Sequence, residues 1–331
     1  GLNIMVNEHH TTATCTTSVC TIPMAILARE TKTARLLCLG LPIANRMDAG
    51  RVAEEYAMID VISRGRLEMG FVKGAPFEVS PANSNPATLM ERFWEAHDLI
   101  LKALTTHDGP FNWEGEHFQF RQVNVWPRPY QQPHPPVWMT VASPGSAAEA
   151  GARGHVIASL NTGYLRTPDI FKSYREAAAG VGKEATKDRF AYLAIIGVGE
   201  TDEEGKRRAH QILDYSRTTP RAAAQFWFPP GYTANEVTAE KLHNRSPLMI
   251  PLRDGGEFVM QTGSVDEFVN AGVAFAGNPD TVFEQVREFN DHVGGLGHLL
   301  MMGQGGHISH EDTVGNLTLF SQEVLPRLAE L

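Results

Sequence analysis

Leu2-Asn3-Ile4-Met5-Val6-Asn7, followed at once by Glu8-His9-His10, is the stretch on which the fold turns. A short apolar run that ends on a carboxylate and two imidazoles has the form of a buried strand delivering polar groups at its carboxyl end. In parallel β/α barrels that end carries the chemistry. Working outward, six further runs repeat the strand pattern, at 35–40, 66–71, 137–141, 155–160, 190–198 and 298–302, which makes seven. Helical patterns lie between them. From Asp48, an expected N-cap, Val52, Tyr56, Ile59 and Ile62 recur at helical spacing up to Gly65, which suits a left-handed stop. Phe93, His97, Ile100 and Leu104 mark another helix, and 168–181, 202–215, 280–293 and 311–331 complete the series. Strands alternating with amphipathic helices predict an α/β fold, a parallel sheet with helices outside it.

Two stretches interrupt the rhythm of what reads as one domain over 1–331. Residues 106–136 turn aromatic and Pro-rich around Glu114-Gly115-Glu116-His117, the text of a small hairpin excursion. Residues 218–262, with Phe226-Trp227-Phe228-Pro229-Pro230-Gly231, have little periodicity; so long an irregular segment is expected to act as a lid.

Composition narrows the function. With 42% hydrophobic and 20% charged residues the chain can bury a large core unaided. The net charge of −9, with no cluster of cations among aromatics, argues against nucleic acid as a partner. No run is long and apolar enough for a membrane span and no signal peptide is visible, so the expected location is the cytoplasm. Three cysteines, Cys15, Cys20 and Cys38, without a Cys-x-x-Cys pair, read as reduced thiols.

The chemistry follows from position. A histidine at the end of a barrel strand can exchange a proton near neutral pH, and a neighbouring carboxylate can fix its tautomer. Packed and solvated imidazoles are the alternative for the pair. Ala142-Ser143-Pro144-Gly145-Ser146 precedes an Ala/Gly-rich helix, where free backbone N–H groups and the helix dipole favour a phosphate, though an ordinary serine cap would look the same. Lys73-Gly74, just past a strand, could bring a cation to the same mouth. Trp126, Trp138, Trp227 and Phe228 could wall an apolar pocket, with Trp138 the one that reads as core. His307, His310 and Glu311 read as a solvated helix entry capped by Ser309, and no metal is expected.

Several of these segments resemble the bacterial luciferase-like flavin monooxygenases. The likeness runs through Leu41-Pro42-Ile43-Ala44, Arg51-Val52-Ala53-Glu54-Glu55, Asp60 and Ser63-Arg64-Gly65-Arg66-Leu67-Glu68-Met69-Gly70. It continues in Pro136-Val137-Trp138, Ala142-Ser143, Ala150-Gly151 and Gly154, and closes with Gly277-Asn278-Pro279 and Glu323-Val324-Leu325-Pro326.

The resemblance implies a TIM (β/α)8 barrel whose first strand and helix would precede Gly1. The chain is then expected to be part of a longer product, with an open strand edge beside the strand that carries His9. It also implies FMN, reduced by a separate flavin reductase and reacting with O2 through a flavin hydroperoxide to oxidise a small hydrophobic molecule. His9 would be catalytic, with Glu8 and His10 beside it. Ser143 and Ser146, with Ala142 and Gly145, would hold the phosphate. Lys73 and Gly74 would assist, although the luciferases have an arginine where Lys73 stands. Cys38 and Asn45 would lie near the isoalloxazine edge. A homodimer is expected. Two other readings share the fold: a deazaflavin-dependent oxidoreductase, and a non-catalytic flavin-binding subunit.

Overall fold

The apolar runs form strands much where they were expected. The structure, a computed structural model, describes residues 1–12, 15–218, 224–244 and 248–331; within the 218–262 stretch, 219–223 and 245–247 lie outside the described residues. The chain divides into two compact units: Gly1–Met139 with Ala222–Arg245, and Thr140–Arg221 with Ser246–Leu331.

In the first unit β1 (Ile4–Val6), β2 (Leu36–Pro42), β3 (Leu67–Val72) and the start of β6 (Val137–Val141) pair in that order, all parallel, with Ile4 beside Leu36, Cys38 beside Met69 and Met69 beside Val137. The other edge of β1 is unpaired among the described residues. Every residue of β2 is buried, the pattern of a strand covered on both faces. At Gly70 a β-carbon would stand 2.1 Å from the Cys38 carbonyl oxygen, so glycine is what lets β2 and β3 close up.

The helix Ala49–Ser63 starts as read, with the Asp48 carboxylate accepting from Arg51 N–H at 3.0 Å. Its left-handed stop begins at Arg64 (φ +57°) and includes Gly65 (φ +80°). Val52, Tyr56 and Ile59 are buried, but Ile62 is 44% exposed, beside exposed Met58 and Val61. The helix's apolar stripe is therefore wider than the core it covers. β4 (Phe111–Glu114) and β5 (Gln119–Val123) form an antiparallel hairpin. Its turn is gathered on Glu95, whose carboxylate accepts from Trp113 Nε1 and the N–H groups of Glu116, His117 and Phe118 at 2.9–3.1 Å. Trp138 is core, as read, and Trp126 is exposed.

In the second unit β8 (Phe190–Val198) is the centre. β7 (Val156–Leu160) lies parallel on one edge and β12 (His298–Met302) on the other. A small antiparallel pair, β9 (Met249–Pro251) and β10 (Glu257–Val259), packs Ile250 and Phe258 into a core with Ile212, Leu213 and Phe268.

Among the described residues the parallel strands number eight rather than the seven expected. The addition is β11 (Ala274–Gly277), which pairs with the end of β8 from Ile195 to Val198. Phe190 turns its carbonyl to Gly297, at the start of β12, whereas Ile195 turns its N–H to Val273. Even and odd residues of a strand face opposite edges, so β11 occupies the edge of β8 beyond the end of β7. Four residues ending on Gly277, directly before Asn278-Pro279, are too few to show a period.

Past the end of β12 the edge of β8 is completed by a side chain. Asn316, fully buried on the helix His310–Leu319, accepts from Val198 N–H at 2.7 Å and donates to the carbonyls of Ile196 (2.9 Å) and Gly303 (3.0 Å). Without it three buried backbone groups lose their partner. We expect Asn316→Ala to cost about 2–4 kcal/mol, read as a lower urea midpoint; a loss under about 0.5 kcal/mol would show that water replaces the amide.

Candidate active site

The loop leaving β1 is fixed by two carboxylates, one from its own sequence and one from far along the chain. Glu8 is only 2% exposed. A carboxylate so buried must be paired. Its oxygens accept from Arg46 Nη2 at 3.2 and 3.3 Å, from Cys20 N–H at 2.9 Å, and lie 3.1 Å from His10 Nε2. Arg46 is set in turn by Arg92, which donates to the carbonyls of Ala44 and Arg46 at 3.0 and 2.9 Å.

The second carboxylate is Glu78, on the single turn Pro76–Val79 after β3. One oxygen accepts from Ala75 N–H at 2.8 Å; the other lies 2.8 Å from His9 Nδ1 and accepts from His10 N–H at 3.0 Å. Burial raises the Glu78 carboxyl, but the bonds from His9 and the two backbone amides outweigh it and hold the group below its ordinary 4.5. Thr11 locks the two loops together by donating to the Phe77 carbonyl at 2.8 Å. It does so at φ +57°, a left-handed conformation that a β-branched residue adopts only under constraint.

Neither Glu78 nor Arg46 was singled out from the sequence. Arg46 meets Glu8 across 38 residues with no local pattern. Glu78 did leave a signal: proline at the first position of a turn and glutamate at the third is a helix-start signature. That signature accounts for one oxygen and leaves the other to be assigned.

The remaining expected residues of this unit gather nearby in the fold. Cys38 Sγ lies 2.8 Å from Cys20 Sγ, both buried, and that hydrogen bond with burial pushes the Cys20 thiol far up. Cys38 thus faces another thiol. Gly74 stands at φ +93°, where a β-carbon would meet Val79 at 2.9 Å and lie 3.6 Å from Asn45 Nδ2. That amide nitrogen is buried and has no partner among the described residues, although Asn45 Oδ1 accepts from Ser84 Oγ at 3.3 Å. An orphaned donor beside a space that only glycine keeps open fits a ligand with an acceptor edge. Lys73 is exposed and without an ion-pair partner among the described residues.

The segment 224–244 returns to these loops. Trp227 packs on Phe77 with the ring planes tilted 56° and the centroids 4.3 Å apart, and Tyr232 donates to the Ser84 carbonyl at 2.5 Å. Trp227 Nε1 is a second buried donor with no partner among the described residues.

In the other unit the expected phosphate residues open the helix Pro144–Arg153. Ser143 Oγ accepts from Ser146 N–H, and Ser143 N–H donates to Ser146 Oγ, both at 3.3 Å. Pro144 has no N–H to offer. The exposed Gly145 faces open space, so its backbone N–H can be approached, but the two hydroxyls are engaged with each other and an anion would have to compete for them. His307, His310 and Glu311 are solvated, and Ser309 caps Asp312 N–H as read. Among the described residues the grouping that could hold a metal is instead Glu91, on the helix Leu89–Thr105, with Glu116 and His117 at the hairpin turn.

A family model described as luciferase-like monooxygenase matches residues 3–294. An F420-dependent glucose-6-phosphate dehydrogenase of Amycolatopsis mediterranei is 25% identical over 316 residues, 93% of this chain and 83% of its own. The oxygenase component of a flavin-dependent trigonelline monooxygenase of Acinetobacter baylyi is 31% identical over 146 residues, 43% of this chain and 39% of its own. An uncharacterised Sinorhizobium fredii protein is 30% identical over 54% of this chain, so the chain spans only 52% of that relative's length. Among solved structures, the monooxygenase RslO1 of Streptomyces bottropensis superimposes with a TM-score of 0.78 at 21% identity, covering 98% of this chain and 88% of its own. The oxygenating constituent of 3,6-diketocamphane monooxygenase of Pseudomonas putida, in complex with FMN, does so at 0.74 and 21%, covering 98% and 87%. These likenesses bear out the expected class, a parallel α/β fold of the luciferase-like barrel type.

Because its folded-state pKa is lowered, Glu78 adds stability that is fully present above its ordinary pKa of 4.5 and is lost as pH falls through the lowered value. The urea midpoint of the wild type should therefore drop more steeply than that of Glu78→Gln between about pH 5 and 3. Parallel curves would show that the carboxylate gains nothing on folding.

Proposed function

Since this chain belongs to the luciferase-like monooxygenase family, we propose that it is a flavin-dependent monooxygenase that uses reduced FMN and O2 to oxidise a small hydrophobic organic molecule. The observation that carries this is the His9–Glu78 pair at the carboxyl end of β1: an imidazole with one nitrogen bonded to a buried carboxylate and its ring still 34% exposed. That arrangement suits proton transfer to or from a bound reactant.

Reduced FMN, when bound, supplies the electrons that activate oxygen. The residues proposed to hold it are Lys73, Gly74 and Asn45, with Cys38 behind them. The orphaned Asn45 Nδ2 beside Gly74 is what fits the acceptor-rich edge of a flavin. The phosphate is assigned to Ala142, Ser143, Gly145 and Ser146, on the chemistry of a helix start alone. His9 would move the proton at Nε2, while Glu8 and Arg46 hold the loop and His10 steady. The aromatic segment through Trp227 and Tyr232 is read as the cover that keeps water from this loop. The oxygenase-component relative supports a separate flavin reductase as the source of reduced cofactor.

A second reading is kept because the F420-dependent dehydrogenase aligns over 93% of the chain: hydride transfer with a deazaflavin at the same site. Oxygen uptake with reduced FMN across a panel of aldehydes, ketones and terpenes should rise on adding a substrate, and His9→Ala should lower kcat by about 10²–10⁴-fold. Substrate-linked reduction of the deazaflavin with no oxygen uptake would instead establish the second reading. Unchanged turnover in His9→Ala would remove His9 from the chemistry.

The proposed assembly is a homodimer. Ile22 and Ile26 on the helix Thr21–Glu30, and Met58, Val61 and Ile62 on Ala49–Ser63, leave apolar side chains exposed on two helices of one unit. Light scattering should give twice the chain mass for the wild type and a monomer for an Ile26→Glu, Ile62→Glu double variant. A monomeric wild type would dismiss the assembly.

A further inference from the structure

The two adjacent histidines are held by opposite ring nitrogens, and by carboxylates in different states of charge balance. His10 is bound through Nε2 to Glu8, whose charge is already shared with Arg46 at both oxygens. His9 is bound through Nδ1 to Glu78, and no lysine or arginine touches Glu78 among the described residues. Its other contacts are two backbone amides, which fix the carboxylate without neutralising it. His9 Nε2 has no partner among the described residues.

From this asymmetry we infer that Glu78 is the positioning residue of the site: it holds the His9 proton on Nδ1, leaves Nε2 as the nitrogen that exchanges a proton with the reactant, and balances the imidazolium when His9 takes that proton up. No bond is made or broken at Glu78. The proton arriving at Nε2 leaves the reactant, and the one on Nδ1 stays. His10 has no such support. Its carboxylate is committed to a guanidinium, and its role is to tie the loop to Glu8. The adjacent imidazoles are thus divided into one that works and one that holds.

The geometry of Glu78 is built for this task. Ala75 N–H and the turn Pro76–Val79 fix its backbone and one oxygen, so the second oxygen meets the imidazole in a set direction. The Thr11–Phe77 bond fixes the other partner's loop to the same turn. An orienting carboxylate held this way lowers the cost of placing the base, because neither member must be ordered during reaction.

This inference rests on the proposed oxygenase chemistry for its rate effects but not for its structural test. In apoprotein labelled with 15N-histidine, neutral His9 should be the Nδ1–H tautomer. In Glu78→Ala that preference should be lost while the ring tautomer of His10, held by Glu8, stays as in the wild type. In Glu78→Gln, kcat should fall by on the order of 10²-fold with KM changed by less than about threefold. Glu78→Asp should recover part of the loss, and Glu78→Gln should add nothing further in a His9→Ala background. A wild-type His9 carrying its proton on Nε2, or a tautomer unaffected by Glu78→Ala, would overturn the inference, as would a Glu78→Gln enzyme with wild-type kcat. If no variant and no wild type consumed oxygen, the oxygenase reading would fail, and the tautomer would still decide the role of Glu78.

Discussion

The constraint on which the site depends is the burial of Glu8. A carboxylate removed from water costs several kcal/mol unless its oxygens are paired, and at the end of β1 that requirement recruits its neighbours one by one. Arg46 must approach from the turn after β2, the backbone of Cys20 must offer its N–H at the start of a helix, and His10 must turn its Nε2 inward. With His10 facing Glu8, the preceding side chain is free to face the other way. There His9 meets Glu78. One buried charge thus sets the path of the whole loop.

The same economy explains why so few residues are needed. Glu78 serves first as the cap of its own turn, a local task for one oxygen, and the other oxygen is then available at no further ordering cost. Arg46 neutralises Glu8 while its own carbonyl is held by Arg92. Glu95 plays a comparable part at the hairpin, where one carboxylate gathers four donors that a tight turn would otherwise leave unpaired. Across the first unit, carboxylates organise the loops and the apolar strands organise the layers.

How much of this could be read in advance follows from the range of each interaction. The strands at 137–141, 190–198 and 298–302 matched to the residue, because an uninterrupted apolar run is a local property. Asp48, Ser143 and Ser309 were legible as caps for the same reason: each bonds within three residues. β11 was not legible, since its four residues become a strand only by lying against the open end of β8. Ile62 fits the helical period and yet is exposed, because periodicity gives the width of an apolar stripe and not what lies opposite it. The histidines were found by their position after a strand. Glu78, the partner of His9, and Arg46, the partner of Glu8, come from other loops, 69 and 38 residues away, where only the fold brings them together.

The proton chemistry of a carboxylate-held imidazole serves either a flavin or a deazaflavin, so the choice between them falls to the surroundings. An oxygenase must keep water from the reacting centre while leaving room for O2 and an apolar substrate. Hydride transfer to a polar substrate calls for hydrogen-bonding groups instead. What lies next to the His9–Glu78 pair is aromatic: Phe77, one residue before Glu78, is covered by Trp227, with Tyr232 bonded close by. A wall of that composition excludes water better than it recognises a polyol. Two buried donors without a partner among the described residues, Trp227 Nε1 and Asn45 Nδ2, would give a reactant two points of attachment. A molecule of apolar bulk with a single polar handle would suit such a lining, which accords with the oxygenase reading proposed for this chain.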